Sequence, residues 1–544
     1  MTSTRRRDFI KALGGLGLSA LPFRTLSYHH LGVAPTTQDF CGDDSRSRPL
    51  FIPGPAGLFG RIGLDAPLRM RAAALNDADR SPWPLGFSVE HKGRRYTNPT
   101  LVLRPGDRVR IELENAINDP TIVHWHGLAV DTRNDGGGMT LAAPGERYAY
   151  DFEVRNRSGL YWYHPHPHGM TAGQAYRGLF GLIEIEDDDE HRLRAALDLV
   201  PAKTEIPLVL QDRRASDYAP NDADRTHGFL GGSVLVNGTA CPYLDVATRI
   251  YRFRVLNASN ARTYRLGLRA AGGEEIPFTL IGTDGGLIAS SLPCKEAFLA
   301  SAERIDILVD LSDAAVGETL VLETRAFDPM HTEMAVVAAA DHAAMTNGAP
   351  SRTSGGSVDH AAMGHGSTFP EGAPRGLLQL RVRERVSYAA RIPARLAAIA
   401  PIAVGDATER PLRLGFAKSR WRINDRVFAM GETPIEAKRG TVETWLIRNY
   451  FNSMPHAMHL HGFHFQVLER QTSPDQLAPL RVDAKSRLAT DLGWKDTVLV
   501  WPGESVRIAI DFHMPFADAQ TYMFHCHNLE HEDGGMMLGV RVAA

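Results

Sequence analysis

Residues 100–115 read Thr100-Leu-Val-Leu-Arg-Pro-Gly-Asp-Arg-Val-Arg-Ile-Glu-Leu-Glu-Asn115, two short alternating runs on either side of a Pro-Gly-Asp turn. Short alternating runs bounded by turn residues are typical of β-strands with one buried face. Similar runs, each ending in asparagine, recur at Ile250–Asn257 and Val442–Asn449. Three such units, about a domain apart, predict three copies of one β-sandwich.

The length and composition of the chain fit that expectation. At 544 residues the chain is too long for one core, and 43% hydrophobic with 23% charged residues is typical of globular proteins. We predict an all-β protein with domains at 50–190, 200–395 and 400–544 and one connecting helix near Glu190–Leu199. The net charge of −3 indicates neither nucleic acid nor an anionic membrane as a partner, and we expect a monomer.

The N-terminal residues 1–30 resemble an export signal. Arg5-Arg-Arg-Asp-Phe-Ile-Lys11 is close to the twin-arginine pattern, and the apolar stretch that follows, Ala12–Phe23, is shorter than the ~20 residues that span a bilayer. We predict export by the twin-arginine machinery to a bacterial periplasm; the alternative is a frayed amphipathic start. An oxidising compartment permits disulfides, and Cys241 and Cys294 are candidates for one.

The most specific pattern lies near the C-terminus. A cysteine is followed by a histidine five residues on and a methionine ten residues on, at Cys526, His531 and Met536. One more imidazole, for which His456 is the candidate, completes two nitrogens, a thiolate and a thioether. That is the ligand set of a type 1 (blue) copper centre.

Eight histidines form four pairs of residues two apart, and in a strand such residues face the same side. The pairs are His124 and His126, His164 and His166, His459 and His461, and His525 and His527. Eight imidazoles are enough for three further copper ions, two with three ligands and one with two. Because Cys526 alternates with His525 and His527, electrons at the type 1 site have a short covalent route to those metals.

These motifs resemble those of the three-domain multicopper oxidases, nearest to the bacterial copper-efflux cuprous oxidases and laccases, and the whole chain after the signal region fits. The resemblance implies three cupredoxin-like Greek-key β-sandwich domains, with the type 1 copper in the third and a trinuclear cluster between the first and third. It implies four copper ions. The implied ligands are His456, Cys526, His531 and Met536 for type 1, His124 and His459 for type 2, His126, His164 and His527 for one type 3 copper, and His166, His461 and His525 for the other.

The same resemblance implies the reaction, one-electron oxidation of a substrate coupled to four-electron reduction of dioxygen to water. Asp135, in Asn134-Asp-Gly-Gly137, and Glu532 resemble the family's acids that supply protons. The alternative is a turn aspartate and a surface glutamate. His168 and His464 lie beside the motifs but outside the ligand count, and we expect them to form hydrogen bonds around the site.

A Met/His-rich segment at 330–369 has a composition that favours a flexible loop. It lies between Leu320–Ala326 and Leu377–Val382, which we predict to be neighbouring strands of the second domain. Its methionines and histidines are Met330, His331, Met334, His342, Met345, His360, Met363 and His365. Soft thioethers suit Cu(I), so the segment favours Cu(I) as reducing substrate and a role in copper tolerance.

Two departures from the cuprous oxidases stand against that substrate. Their insert lies in the third domain, and where they carry a carboxylate this chain has Asn452, although Met454 matches. The alternatives are a laccase-type oxidase of phenols or other small organic reductants, a copper-sequestering protein, and a copper-free scaffold. The scaffold is disfavoured because all twelve ligand positions are filled. A copper nitrite reductase is also disfavoured, because those enzymes are shorter and do not need the eight histidines of the four pairs.

Overall fold

The computed structural model describes residues 46–332 and 369–544. The signal region 1–30 and residues 333–368 of the Met/His-rich segment lie outside the described residues. Six β-sheets make up most of the structure, so the all-β prediction is confirmed. Within the described ranges, none of the helices has the length and apolarity that a bilayer crossing requires.

The first pair of sheets contains the predicted 100–115 unit. The strands up to residue 185 are Arg48–Pro49 (β1), Gly57–Leu58 (β2), Arg61–Gly63 (β3), Leu68–Ala74 (β4), Leu85–His91 (β5), Arg94–Thr97 (β6), Thr100–Leu103 (β7), Arg108–Ala116 (β8), Val123–His126 (β9), Arg147–Glu153 (β10), Gly159–Pro165 (β11) and Gly181–Ile185 (β12). One sheet has the order β10-β8-β4-β5-β6-β2 and the other β3-β7-β12-β11-β9. Since β7 and β8 belong to different sheets, the Pro-Gly-Asp turn connects the two layers.

The second pair of sheets follows. Its strands are Glu205–Arg213 (β13), Ser233–Val236 (β14), Thr239–Ala240 (β15), Pro242–Ala247 (β16), Ile250–Asn257 (β17), Tyr264–Ala270 (β18), Glu275–Ile276 (β19), Phe278–Thr283 (β20), Gly286–Cys294 (β21), Glu296–Leu299 (β22), Arg304–Asp310 (β23), Thr319–Thr324 (β24) and Arg375–Glu384 (β25). One sheet has the order β15-β14-β13-β17-β23-β20-β21. The other has the order β1-β16-β25-β24-β18-β19, with β22 beside β18, so β1 joins the second pair.

The third pair of sheets contains the type 1 motif. Its strands are Thr408–Ala417 (β26), Arg420–Ile423 (β27), Ile435–Lys438 (β28), Val442–Asn449 (β29), His456–Leu460 (β30), Phe465–Gln471 (β31), Thr497–Val500 (β32), Ser505–Asp511 (β33), Gln520–Cys526 (β34) and Met537–Ala543 (β35). The sheet orders are β27-β26-β29-β33-β31 and β28-β35-β34-β30-β32. Each pair of sheets encloses its own apolar core. The domain limits 50–190, 200–395 and 400–544 stay predictions.

Short helices connect the strands. They are Thr132–Asp135 (α1), Thr171–Tyr176 (α2), Asp188–Ala196 (α3), Asp222–His227 (α4) and Leu529–Asp533 (α5), with 3-10 turns at Asp77–Asp79, Asp475–Leu480 and Ala489–Asp491. The helix predicted at Glu190–Leu199 is confirmed as α3, which begins earlier because the Asp187 side chain accepts a hydrogen bond from Glu190 N.

Three asparagines at or directly before the last residue of β8, β17 and β29 have the same structural role. Each side-chain Nδ2 donates to a carbonyl four or five residues further on and to a second carbonyl more distant in the chain. The acceptors are Asp119 and Ala142 for Asn115 (2.9 and 2.8 Å), Arg262 and Leu299 for Asn257 (2.7 and 3.0 Å), and Met454 and Val500 for Asn449 (2.8 and 3.0 Å). This shared bridge supports the prediction of three related units.

The strands that flank the Met/His-rich segment are neighbours. β24 and β25 pair antiparallel, with Thr319 opposite Arg381 and Thr324 opposite Arg375, so the predicted strand pairing is confirmed. The segment therefore connects two adjacent strands of the second pair of sheets.

The prediction of a disulfide between Cys241 and Cys294 is wrong. Cys241 is disulfide-bonded, whereas Cys294 is a buried free thiol. Cys294 is the last residue of β21, and its thiol lies beside the carbonyl of Leu292.

Candidate metal centres

Four strands in two adjacent pairs position the candidate ligands. In the first pair of sheets, β9 places His124 opposite His164 of β11; in the third, β30 places His459 opposite His525 of β34. The side chains that the sequence predicts as ligands are all exposed by 1% or less: His124, His126, His164, His166, His456, His459, His461, His525, Cys526, His527, His531 and Met536. Period-two alternation on the paired strands therefore directs the four His-x-His pairs into the protein.

The type 1 candidates surround the Cys526 sulfur. His456 Nδ1 lies 3.5 Å and His531 Nδ1 3.7 Å from Cys526 Sγ. Met536 packs in the same core as Cys526, and the loop folds back because Cys526 N donates to Met536 O at 3.1 Å. The far edges of both rings are also held: His531 Nε2 donates to Thr226 O at 2.9 Å, and His456 Nε2 lies 3.2 Å from Ser453 Oγ.

The other eight histidines meet between the first and third pairs of sheets. One group consists of His166, His461 and His525. The Nε2 atom of His525 lies 3.4 Å from His166 Nε2 and 3.0 Å from His461 Nε2. A second group centres on His164 Nε2, which lies 3.4 Å from His126 Nδ1 and 3.4 Å from His527 Nε2. The members of the two groups match the two type 3 ligand sets that the resemblance implies.

His124 and His459, the implied type 2 ligands, show directly that the pocket suits a metal. Each Nδ1–H donates to a backbone carbonyl at 2.8 Å, that of Asp135 for His124 and that of Asp496 for His459. Each Nε2 atom is therefore unprotonated and carries a lone pair, and both atoms are buried without a hydrogen-bond partner among the described residues. Because buried polar atoms are rarely left unpaired, we conclude that these two nitrogens fit a cation.

The electrostatics of the cluster favour neutral imidazoles. Burial first, and the neighbouring imidazoles in most cases, hold the pKa of the ring well below its usual range for His124, His126, His164, His166, His461, His525 and His527. Burial raises the pKa of the Cys526 thiol to about 12. Neutral imidazoles keep a lone pair free, and a buried thiol needs a bound cation to ionise.

Comparisons with known proteins agree with this geometry. Sequence models described as multicopper oxidase match residues 91–190 and 406–544. The multicopper oxidase mco of Staphylococcus haemolyticus is 30% identical over 452 residues, covering 82% of this chain and 81% of that protein. The chain belongs to the multicopper oxidases. A laccase of Bacillus subtilis is 31% identical over 454 residues, covering 77% of this chain and 78% of its own.

The structural comparison extends the similarity to nearly the whole multicopper oxidase. The crystal structure of the McoA multicopper oxidase from Aquifex aeolicus superposes with a TM-score of 0.75 at 35% identity, covering 92% of this chain and all of that one. The predicted family and the all-β fold with cupredoxin-like domains are confirmed. This multicopper oxidase is thus an oxidoreductase that uses copper, dioxygen and a reducing substrate.

The two predicted acids lie against cluster histidines rather than at the surface. Asp135 Oδ2 lies 2.9 Å from His461 Nδ1, and the Glu532 oxygens lie 3.4 Å from His166 Nε2 and His525 Nδ1. Burial raises the pKa of both carboxyl groups well above the usual range, and nearby carboxylates add to the shift. Both groups therefore favour the protonated form.

His168 and His464 of this multicopper oxidase lie beside the cluster. The His168 ring packs against Phe428, with ring centroids 5.0 Å apart. The His464 ring stacks on Tyr161, and its Nε2 lies 3.8 Å from Asp496. Among the described residues, neither histidine joins a group with metal-binding spacing.

Sequence reasoning missed two residues that contact predicted ligands. Asp496 Oδ1 lies 3.1 Å from His126 Nε2, and the Trp421 ring lies 4.5 Å from His456 and 5.1 Å from His531. Neither has a spacing signal. Only the charged pair Lys495-Asp496 directly before the apolar strand β32 was unusual, because buried strands rarely begin on paired charges.

Proposed function

We propose that this multicopper oxidase binds four copper ions through the twelve residues of its four motifs and oxidises Cu(I) at the type 1 site. The observation that carries the copper assignment is the pair of unpartnered Nε2 atoms of His124 and His459, set among six further imidazoles. The soft donor set of Cys526 and Met536 supports the type 1 assignment. When bound, copper supplies single-electron transfer and a place where dioxygen is reduced to water.

Cys526 links the two parts of the site. Its sulfur faces His456 and His531, while its chain neighbours His525 and His527 face the eight-histidine cluster. The ring of His525 also donates from Nδ1 to the Cys526 carbonyl at 3.0 Å, which adds a hydrogen-bonded connection to the covalent one. The peptide around Cys526 is therefore the shortest path between the two ligand sets.

Asp135 and Glu532 supply protons in this proposal. Burial raises the pKa of both carboxyl groups, and they lie within reach of His461 and of His166 and His525. A cavity of about 590 Å³ is lined by Gly136 and Gly137, next to Asp135, and offers water access on that side. The carboxyl O–H groups are thus placed to protonate oxygen as it is reduced.

The choice of Cu(I) rests on where the Met/His-rich segment begins. Thr332 is the last residue at the start of this segment that the structure describes, and its Oγ1 donates to Ser453 O at 2.8 Å. The Ser453 hydroxyl lies beside His456, and Met454 is buried in the same core as Cys526. The described start of the segment therefore lies next to the type 1 ligands. This position supports Cu(I) as the substrate, because thioethers suit Cu(I).

Oxidation of phenols is the second candidate. A cavity of about 450 Å³ borders His531 and Trp421, large enough for an aromatic ring. The similarity to the laccase of Bacillus subtilis also favours this reading. Against it, the Nε2 atom of His531 is already bonded to Thr226 O.

We further propose export to the periplasm through the twin-arginine machinery, action as a monomer and a role in copper tolerance. The twin-arginine pattern at Arg5–Lys11 supports export, and the Met/His composition of residues 330–369 supports copper handling.

Deleting residues 341–368 separates the candidate functions. We expect kcat/KM for Cu(I) to fall at least tenfold, while kcat/KM for a bulky phenol is unchanged or rises, with dioxygen consumed in both assays. An equal loss for both substrates would contradict the proposal of Cu(I) as substrate. Copper binding without dioxygen consumption by the intact protein would instead indicate a copper-sequestering protein.

A further inference from the structure

Arg304, at the start of β23 in the second pair of sheets, is buried and fully hydrogen-bonded. Its guanidinium has five N–H donors, and five acceptors surround it. They are Leu160 O (3.1 Å), Ala302 O (3.0 Å), Asp284 O (3.0 Å), Asp496 Oδ1 (2.8 Å) and Asp496 Oδ2 (2.5 Å). Leu160 belongs to the first pair of sheets and Asp496 precedes β32 of the third. One side chain of the second pair therefore binds all three.

Asp496 carries this connection to the cluster. Its Oδ1 accepts from Arg304, from the Thr497 hydroxyl at 2.9 Å and from His126 Nε2 at 3.1 Å. Its backbone carbonyl accepts from His459 Nδ1 at 2.8 Å. The rings of His126 and His459 stack with centroids 3.8 Å apart. Asp496 therefore holds one ring from the first pair of sheets against one ring from the third.

The bond to Asp496 explains an asymmetry among the eight histidines. His126 faces its group with Nδ1, because its Nε2–H is engaged by the carboxylate. The others that bond a backbone carbonyl or a carboxylate do so through Nδ1 and face inward with Nε2: His124, His164, His459, His461 and His525. The proton on one ring nitrogen decides which nitrogen is free to bind a metal.

The glycine of His124-Trp-His-Gly127 makes room for this carboxylate. A Cβ at Gly127 would lie 2.5 Å from Asp496 Oδ2 and 3.1 Å from Arg304 Nη2. The close approach of the ion pair to β9 therefore requires glycine immediately after His126.

We propose that Asp496, clamped by Arg304, is a positioning residue that fixes His126 in the tautomer offering Nδ1 to a type 3 copper. The inference rests on the proposed copper assignment. It gives the second pair of sheets, which supplies none of the twelve predicted ligands, a defined part in the site through Arg304. An amide at position 496 has one acceptor oxygen where the carboxylate has two. Either Arg304 Nη2, at the Oδ2 position, or His126 Nε2 and Arg304 Nη1, at the Oδ1 position, would then face an N–H donor.

Asp496→Asn tests the proposal, with Asp491→Asn as its matched control. Asp491 also forms a buried two-point ion pair, with Arg470 at 2.7 and 2.8 Å, in the same pair of sheets. Copper-loaded proteins are exposed to increasing chelator, and the copper per chain and the visible band of the type 1 site are recorded. We expect Asp496→Asn to lose type 3 copper at about 10–100-fold lower chelator than wild type or Asp491→Asn, with its visible band kept.

Equal copper retention in Asp496→Asn and wild type, or equal loss in both variants, would overturn the proposal, because loss in both would mean a structural effect only. Thermal unfolding of the copper-free proteins shows whether each variant folds. If Asp496→Asn does not fold, Arg304→Lys retains the charge but removes the two-point clamp. Unchanged copper retention in Arg304→Lys would then overturn the proposal. A wild-type chain that binds no copper would refute the proposed function itself.

Discussion

The Nδ1 atom of His456 lies 3.5 Å from the sulfur of Cys526, although 70 residues separate the two in the chain. The contact exists because β30 and β34 pair antiparallel, with Met458 opposite Cys526. Strand register, rather than closeness in sequence, thus assembles the type 1 ligand set. The same pairing places His459 opposite His525, so one strand pair serves both parts of the site.

Replacing Glu532 tests the proton supply. We expect Glu532→Gln to lower kcat for dioxygen reduction by about 10²–10⁴-fold, because the amide cannot deliver a proton. Copper content and the rate at which substrate bleaches the visible band without dioxygen should match wild type. The control is Glu530→Gln, since Glu530 is equally buried but bonds Asn260 and Phe229 N rather than a cluster histidine. Equal losses in the two variants would argue against a specific role for Glu532.

The buried carboxyl group of Glu530 should also make the stability of the folded protein depend on pH. Burial raises the pKa of Glu530 from 4.5 to about 7 in the folded protein. The unfolded chain therefore releases this proton first, and the carboxyl group lowers the free energy of unfolding as the pH rises from 4.5 to 7. Relative to wild type, copper-free Glu530→Gln should gain up to about 3 kcal/mol across that window in urea denaturation. A constant difference would contradict the assigned environment.

Gly127 offers a test of packing around the cluster. Gly127→Ala places a methyl group against Asp496 at a backbone φ of +85°. Gly145→Ala is its control, because φ is +83° there and nothing lies within 4 Å of the added Cβ. We expect Gly145→Ala to cost about 1–2 kcal/mol of unfolding free energy, from the backbone conformation alone. Gly127→Ala should cost about 1–3 kcal/mol more by overpacking. Equal costs would mean that the ion pair moves aside freely.

The thiols should be unreactive in the folded, copper-free protein. Cys294 and Cys526 are buried, and burial raises the pKa of their thiols to about 11 and about 12. We expect a thiol reagent to label neither residue at neutral pH and to label both after denaturation without reductant. Rapid labelling of the folded protein would contradict the burial of Cys526.

The sequence predicted the residues that gather in the candidate metal centres because their signal is local. Alternation places His124 and His126 on one strand face, and the Cys526 to Met536 spacing belongs to a single loop. Arg304 and Asp496 had no such signal, since their contact joins different pairs of sheets and a lone arginine or aspartate has no informative spacing. The Cys241–Cys294 pairing failed for a related reason: membership of one predicted domain does not bring two residues within bonding distance.

The sequence predicted two strands around the Pro-Gly-Asp turn but did not predict which sheets they join. Both strands of residues 100–115 form, yet β7 and β8 lie in different sheets. A turn in the sequence shows that the chain reverses but does not show whether the two strands pair or separate into two layers.

Absorption and copper analysis of Cys526→Ser test the central claim most directly, with Cys294→Ser as control, since both residues are buried free thiols. Copper-loaded wild type and Cys294→Ser should show an intense visible absorption band at about 600 nm from thiolate-to-copper charge transfer, with about four copper ions per chain. Cys526→Ser should lose the band and one copper ion while keeping the others. A band that survives in Cys526→Ser, or fewer than about three copper ions per wild-type chain, would contradict the copper assignment.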